Sequence, residues 1–182
     1  QKMIADPARP FLNRVLQAYP PGSTFKAVTV LAALEENKVS LKELFNCTGY
    51  DPVYGAKKKC WTVSQHKPPH GPENIIDGIK NSCNIVFFEL GRRLGIDKLA
   101  EYARMLGFEK ATGFSFYPEE KTGLIPDREF KRKNYRRPEM AKWYPIETLD
   151  VAIGQGAVST TPLQIAQLYQ TIANRGQVFR PD

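Results

Sequence analysis

The chain has 182 residues, of which 42% are hydrophobic and 25% charged. This composition is typical of an ordinary globular domain and excludes disordered, collagen-like and coiled-coil proteins. The longest mostly apolar stretch, residues 27–34, is far shorter than the ~20 residues of a membrane-spanning helix. We expect any membrane anchor to lie outside this chain. Since the chain starts at Gln1 rather than Met and stops at Asp182 without a helix cap, we also expect it to be part of a longer protein.

The net charge is +7, from 26 basic and 19 acidic residues. Much of the excess lies between Arg128 and Lys142, which contains seven lysines and arginines. Runs of like charge usually form solvated loops, so we predict such a loop here, with a weak preference for an anionic surface as the alternative. No helix-turn-helix, zinc-finger or RNA-binding signature accompanies the run, and we expect no nucleic-acid partner.

The hydrophobic pattern predicts helices separated by long loops. Residues 24–37 are apolar almost all round and predict a buried helix. Residues 45–72 are rich in Gly, Pro, Lys, Cys and aromatic residues without a sustained period, which predicts a long loop. Helices then follow at residues 75–79, at residues 85–94 and, capped by Asp97, at residues 97–107.

The last helix has the clearest signals in the chain. Thr161 and Gln164 form a capping box, Pro162 occupies the first helical position, and Gly176 lies just past the end. Convincing alternating strands are scarce, so any sheet of this fold would lie mostly elsewhere. The stripe that we expect this helix to bury consists of Ile165, Leu168, Tyr169 and Ile172.

The segment Ser23-Thr24-Phe25-Lys26 carries a candidate nucleophile and base. A serine and a lysine three residues apart share one helix face, so the amine can reach the hydroxyl and accept its proton once the pKa of the lysine is lowered. A serine at a helix start also directs free backbone N–H groups at the reaction centre. The second such spacing, Ser64 to Lys67, runs into Pro68 and cannot open a helix, so we treat it as coincidence.

Several short motifs follow Ser23 in a fixed order. The segment 20–26 precedes Ser82-Cys83-Asn84, the segment 120–126 follows, and Gly154-Gln155-Gly156 leads into residues 160–164. This order resembles the transpeptidase domain of class B penicillin-binding proteins across nearly the whole chain. The pairs Cys60-Trp61 and His70-Gly71 are most similar to the penicillin-binding protein 2 group of that family.

The resemblance implies an α+β fold, the helical lobe of the serine transpeptidase/β-lactamase-like fold, with the central antiparallel sheet largely absent from residues 1–182. It implies a peptidoglycan D,D-transpeptidase of cell elongation and cell shape, which β-lactams acylate. The implied partners are peptidoglycan stem peptides, β-lactams and membrane proteins of the elongation complex. The implied location is the periplasmic face of the bacterial inner membrane.

Carried over by resemblance, Ser23 is the acylated nucleophile and Lys26 its general base. Ser82 matches the serine of the second motif, which relays a proton, and Asn84 matches the residue that holds the substrate amide. From the residues alone, Ser82 and Asn84 also fit a helix cap before Ile85.

The family's third motif, Lys-Thr/Ser-Gly, requires care because Lys121-Thr122-Gly123 precedes Gly154. The family places its third motif after the Gly-Gln-Gly segment, so we interpret residues 121–123 as a surface turn of an earlier loop. We expect the true motif beyond Asp182, and we expect the 182-residue chain to be acylated slowly or not at all.

Cys47, Cys60, His70 and Cys83 are spaced 13, 10 and 13 residues apart. Three thiolates and one imidazole suit tetrahedral zinc, which would tie the 45–72 loop to the helix that follows Cys83. A Cys47–Cys60 disulfide and a free, buried Cys83 remain alternatives. The resemblance supports zinc, since some members of the group carry a zinc site here with aspartates among the ligands.

Two other classes of function stay open at this stage. A β-lactam-sensing or β-lactam-hydrolysing relative would share the Ser-x-x-Lys motif. A non-catalytic, metal-stabilised interaction module would keep the cysteine set without a reactive serine.

Overall fold

One long helix, α4 (Asn84–Met105), lies at the centre of the structure and packs against α1 (Lys26–Glu35) and α7 (Pro145–Ala152). The computed structural model describes residue 7, residues 10–114 and residues 120–181. Gly95 has a non-helical φ of 73° inside α4. The helical geometry is therefore interrupted at Gly95, and the two helices predicted on either side of it are both present, joined across a kink. Within the described residues, no helix has the length and hydropathy that crossing a bilayer requires.

The segment predicted as one long loop contains regular structure, so that prediction was wrong in part. Its strands are only two to five residues long, too short for a hydrophobic period to be recognised, which is why the sequence pattern did not show them. They form two antiparallel pairs: β1 (Phe45–Cys47) with β4 (Gly71–Glu73), and β2 (Tyr50–Asp51) with β3 (Gly55–Lys59). The remaining helices are α2 (Trp61–Ser64), α3 (Ile75–Lys80), α5 (Arg128–Asn134), α6 (Pro138–Ala141) and α8 (Pro162–Ala173).

The structure confirms the start of α8 but not its buried stripe. Both hydrogen bonds of the Thr161–Gln164 capping box are present. Leu168 is buried, whereas Tyr169 and Ile172 are 46% and 40% exposed. The helix buries a different face from the predicted one, because the Gln164 side chain points inward. Its amide donates to the carbonyls of Lys110 and Thr122.

The basic segment 128–142 is not the solvated loop that its composition predicts, since it contains α5 and α6. Lys131 is only 8% exposed, and its ammonium donates to both carboxylate oxygens of Glu147 on α7 at 2.8 Å. The ring of Tyr144 lies 5.4 Å from the same ammonium. A partly buried ion pair with an aromatic neighbour thus holds this segment against the helical core.

The contact between α4 and α7 depends on a residue without a side chain. A Cβ built on Gly91 would lie 2.6 Å from the Cβ of Ala152, closer than real carbon atoms approach. The Thr29 hydroxyl of α1 donates to the carbonyl of Ala152 at 2.8 Å, so all three helices meet at this point. Large apolar side chains complete the core around it, among them Phe25, Phe87, Phe88, Phe108 and Leu149.

We therefore expect Gly91→Ala to destabilise the protein, although alanine has the higher helix propensity. Overpacking of this kind costs about 1–3 kcal/mol of unfolding free energy. Adding Ala152→Gly removes the opposing methyl group and should recover a large part of the loss, as measured by denaturant unfolding of both single variants and the double variant. If the changes in unfolding free energy of the two single variants simply add in the double variant, the two positions do not limit the packing.

Candidate active site

Ser23 lies in a 3₁₀ turn, Gly22–Phe25, that leads directly into α1. Gly22 has a φ of 58°, and its N–H donates to the carbonyl of Gly154 at 2.9 Å. A Cβ on Gly154 would overlap the Gly22 carbonyl and lie 2.7 Å from the Cβ of Phe25, so only glycine permits this approach. The motif Gly154-Gln155-Gly156 thereby supports the backbone that carries the candidate nucleophile.

The Ser82 side chain lies between those of Ser23 and Lys26. The Ser82 hydroxyl donates to the Ser23 Oγ at 2.9 Å. The Lys26 Nζ donates to the Ser82 Oγ at 3.0 Å, to the Ser82 carbonyl at 2.8 Å and to the Asn84 Oδ1 at 2.8 Å. The spacing of Ser23 and Lys26 predicts a direct contact. The structure instead connects the two side chains through Ser82, and all four predicted residues lie together.

Burial makes Lys26 a possible base near neutral pH. The side chain is 3% exposed, and desolvation lowers the pKa of its ammonium to about 8. Negative charge on Cys60 opposes this shift and favours the ammonium form. An amine with a pKa of about 8 is partly neutral at physiological pH, and only the neutral form can accept a proton.

Ser82 occupies a strained backbone position between α3 and α4. Its φ of 51° lies in the left-handed region, which for a residue other than glycine costs of order 1–3 kcal/mol. The turn is held by the Ser82 N–H, which donates to the carbonyl of Ile79, and by the Cys83 N–H, which donates to that of Gly78. Cys83 is the N-cap residue of α4 and forms no side-chain cap. The Ser82 hydroxyl and the Asn84 amide face Lys26 instead.

Lys121-Thr122-Gly123 takes part in none of these contacts and is not the turn that its composition predicts. Its backbone is irregular and leads into an isolated antiparallel bridge between Leu124 and Ser159. The Lys121 and Thr122 side chains are exposed. Gly123, with a φ of 72°, lies against the backbone of Ser159, and this close approach explains why a glycine is present.

A cysteine cluster lies directly beside these candidate active-site residues. It consists of Cys47, Cys60, His70 and Cys83. Their ligand atoms all lie within 4.8 Å of one another, and all three cysteines are buried, free thiols. The sulfur atoms of Cys47 and Cys60 are each 3.6 Å from the Nδ1 of His70. In tetrahedral zinc with Zn–S of ~2.3 Å and Zn–N of ~2.1 Å, sulfur and nitrogen would be about 3.6 Å apart. The arrangement therefore fits such an ion.

The thiols of this cluster do not titrate independently. The hydrogen bond between Cys83 and Cys60 lowers the pKa of Cys60 to about 4 and raises that of Cys83. Burial raises the pKa of Cys47. One thiolate therefore forms easily and its neighbours resist ionisation, as expected for three sulfur atoms packed together without a cation.

Sequence reasoning missed two residues that support Ser82. The Asn81 side chain donates to the Glu73 carboxylate at 2.5 Å, and the Asn81 carbonyl accepts from the Trp61 indole at 3.0 Å. The second oxygen of Glu73 is buried without a hydrogen-bond partner and lies 3.9 Å from the His70 Nδ1. The position of Glu73, three residues after His70, is the one signal in the sequence that could have indicated it.

The chain is similar to known proteins over its whole length. The family model of the penicillin binding protein transpeptidase domain matches residues 1–182. The chain is 34% identical over 190 residues to the peptidoglycan D,D-transpeptidase MrdA of Haemophilus influenzae and 37% identical over 168 residues to stage V sporulation protein D of Bacillus subtilis. These alignments cover 100% and 92% of the chain but 27% and 23% of the relatives.

The fold is similar to that of a solved complex between a penicillin-binding protein (PBP2) and MreC from Helicobacter pylori. The TM-score is 0.88 at 32% sequence identity, with 100% of this chain and 32% of that chain covered. The described helices and short strands therefore align with about a third of that longer chain.

We expect the reaction of Ser23 with penicillin to depend on pH through Lys26. The amine accepts a proton only when neutral, so the rate should rise about tenfold per pH unit below 8 and level off above it. The second-order rate constant of acylation of the full-length protein, measured from pH 5.5 to 9.5, tests this. In Lys26→Ala the residual rate should lose this dependence, and an unchanged profile in that variant would assign the titration to another group.

Proposed function

This chain belongs to the penicillin-binding protein transpeptidase domain family, and we propose that it carries the nucleophile of a serine-type peptidoglycan D,D-transpeptidase. The observation that supports this most directly is the continuous contact from Ser23 through Ser82 to Lys26. It supplies a nucleophile, a path for its proton and a base with a lowered pKa.

In the proposed reaction, the Ser23 Oγ attacks the carbonyl carbon of the penultimate D-alanine of one stem peptide. The hydroxyl proton passes to Lys26, directly or through the Ser82 Oγ. The peptide C–N bond then breaks, and terminal D-alanine leaves with a proton returned by the same groups. The serine ester that remains is attacked by the amine of a second stem peptide, which forms the cross-link and frees Ser23.

The 182 residues supply only part of this machinery. No Lys-Thr-Gly follows Gly156 in the chain. We propose that the third motif and the main sheet of the domain come from the remainder of the full-length protein, since the curated relatives are about four times as long as the aligned region. A backbone N–H of the 3₁₀ turn that carries Ser23 would serve as one donor for the developing oxyanion, and a further donor would come from the third motif.

We also propose the cellular setting from the relatives. A D,D-transpeptidase of the wall acts on the periplasmic face of the inner membrane, and we expect the anchor in the full-length protein outside these residues. The partner MreC in the similar Helicobacter pylori complex supports an interaction with membrane proteins of the elongation complex. The chain is also similar to a sporulation protein, so wall synthesis during sporulation rather than elongation is the competing assignment.

Penicillin should add covalently to Ser23 in the full-length protein, and Ser23→Ala should abolish the adduct. The isolated 182-residue chain should react ~10²–10³-fold more slowly, because loss of one oxyanion donor alone has that effect. Intact-mass measurements over time test both statements, with Lys121→Ala as a control that we expect to stay within about twofold of wild type.

Three results would contradict this proposal. Rapid stoichiometric labelling of the isolated chain would show that the third motif is not needed for acylation. A loss of several hundredfold in Lys121→Ala would place residues 121–123 in the site. Turnover of penicillin without cross-linking of wall peptides would indicate a β-lactam-hydrolysing relative.

We further propose that Cys47, Cys60, His70 and Cys83 bind one structural zinc ion. The 3.6 Å sulfur–nitrogen separations and the burial of all three thiols support this set of ligands. Four protein ligands leave no open position for a substrate, so the ion would stabilise the fold and take no part in the reaction. It would join the segment 45–72 to the N-terminus of α4 and thereby hold Ser82 and Asn84.

Protein purified without chelator should contain about one zinc per chain by elemental analysis. Cys60→Ser should lose most of the metal and lower the rate of penicillin acylation, because the turn that carries Ser82 would lose its support. His66→Ala, which removes the other histidine of the sequence, is the matched control and should retain the metal. Less than about 0.2 zinc per chain, with Cys47 and Cys60 oxidised together, would exclude the site.

A further inference from the structure

A groove of about 330 Å³ lies beside the candidate active site, between β3 and the C-terminal end of α7. Asn84, whose Oδ1 accepts from Lys26, is one of its lining residues. The groove therefore begins at Asn84, one of the four candidate active-site residues. A substrate whose reacting bond lies at Ser23 could extend into it.

Three consecutive lysines of β3, Lys57, Lys58 and Lys59, line this groove. Lys58 forms an ion pair with Asp150 of α7, the one acidic residue among the lining side chains. Lys57 and Lys59 are exposed and form no ion pair within the part of the chain that the structure describes. The lining therefore has an excess of two positive charges, and both are free to meet an anion.

The other lining residues suit a peptide better than a small inorganic anion. Trp61 is partly exposed and supplies apolar surface above the almost fully buried Phe88 and Ile153, whereas Gln65 and Gln155 are exposed amides. Aliphatic chain segments can pack on the apolar surface, and the amides can pair with peptide N–H and C=O groups. Carboxylates at the edge would meet the lysine ammonium groups.

We propose that this groove is a substrate subsite that binds an acidic peptide through Lys57 and Lys59. The inference deepens the transpeptidase function proposed above and rests on it, since the peptide would be the stem of the wall polymer. The backbone of β3 also positions the catalytic cluster, because the carbonyl of Lys59 accepts from the Asn84 amide at 3.3 Å. One short strand thus contacts the substrate and a residue of the active site.

The test uses the full-length protein with Ser23→Ala, so that peptide binding is measured without acylation. The two probes are stem peptides with a γ-linked D-glutamate or with the same residue amidated to D-isoglutamine, which differ by one carboxylate. The double variant Lys57→Gln/Lys59→Gln removes the free ammonium groups. Lys38→Gln/Lys42→Gln is the control, because it changes the net charge equally at exposed lysines outside the groove.

We expect the acidic peptide to bind roughly fivefold to tenfold more tightly than the amidated one by isothermal titration, as two partly exposed ion pairs would give. The groove variant should reduce this preference to less than about twofold, and the control variant should keep it. Raising the salt to 1 M should reduce the preference in the same way, since the Debye length falls to ~3 Å.

Several results would overturn the proposal. With Lys57 and Lys59 in place, equal binding of the two peptides or no measurable binding of the acidic peptide would contradict it. In the groove variant, an unchanged preference or an equal loss of affinity for both peptides would contradict it. Failure of the transpeptidase function itself would show separately, because the protein with Ser23 present would then not react with penicillin.

Discussion

The buried ammonium group of Lys26 is the interaction on which the site depends. It has three N–H donors, and the structure provides three acceptors on two residues of one turn. In its charged form the group is therefore saturated, which offsets part of the cost of burying it. In its neutral form it gives up one of these bonds and gains a lone pair. Since Ser82 is hydrogen-bonded to both Ser23 and Lys26, its hydroxyl lies where the proposed proton path requires it.

The rest of the fold can be understood as support for the two segments that meet at this amine. The Gly22–Phe25 turn is fixed from one side by the close approach of Gly154, at the end of α7. The turn at Ser82 is fixed from the other side by α3, by Asn81 with its partners and by the cysteine cluster. Both supports involve backbone strain or buried polar groups. Such features cost free energy and are common at functional sites.

Local chemistry was predictable from the sequence, and long-range geometry was not. The capping box at Thr161 and the Ser23–Lys26 spacing depend on neighbours within four residues, so both could be recognised directly. The position of Ser82 between those two side chains depends on packing across 56 residues of chain. The short strands near Cys47 and the burial of Lys131 likewise arise from tertiary contacts that override composition. Four cysteine and histidine side chains could be grouped by residue type, whereas Glu73 beside them has no distinctive pattern.

Residues 82–84 show how little room the chain leaves for change at this point. Three successive side chains contribute, in order, a hydroxyl to the proposed proton path, a thiol to the cysteine cluster and an amide that contacts Lys26 and lines the groove. The turn before α4 directs the middle side chain into the buried cysteine cluster and its two neighbours toward Lys26. An insertion or deletion of one residue here would shift the register and misdirect all three groups together. This segment therefore has a fixed length as well as a fixed composition, unlike an ordinary connection between two helices.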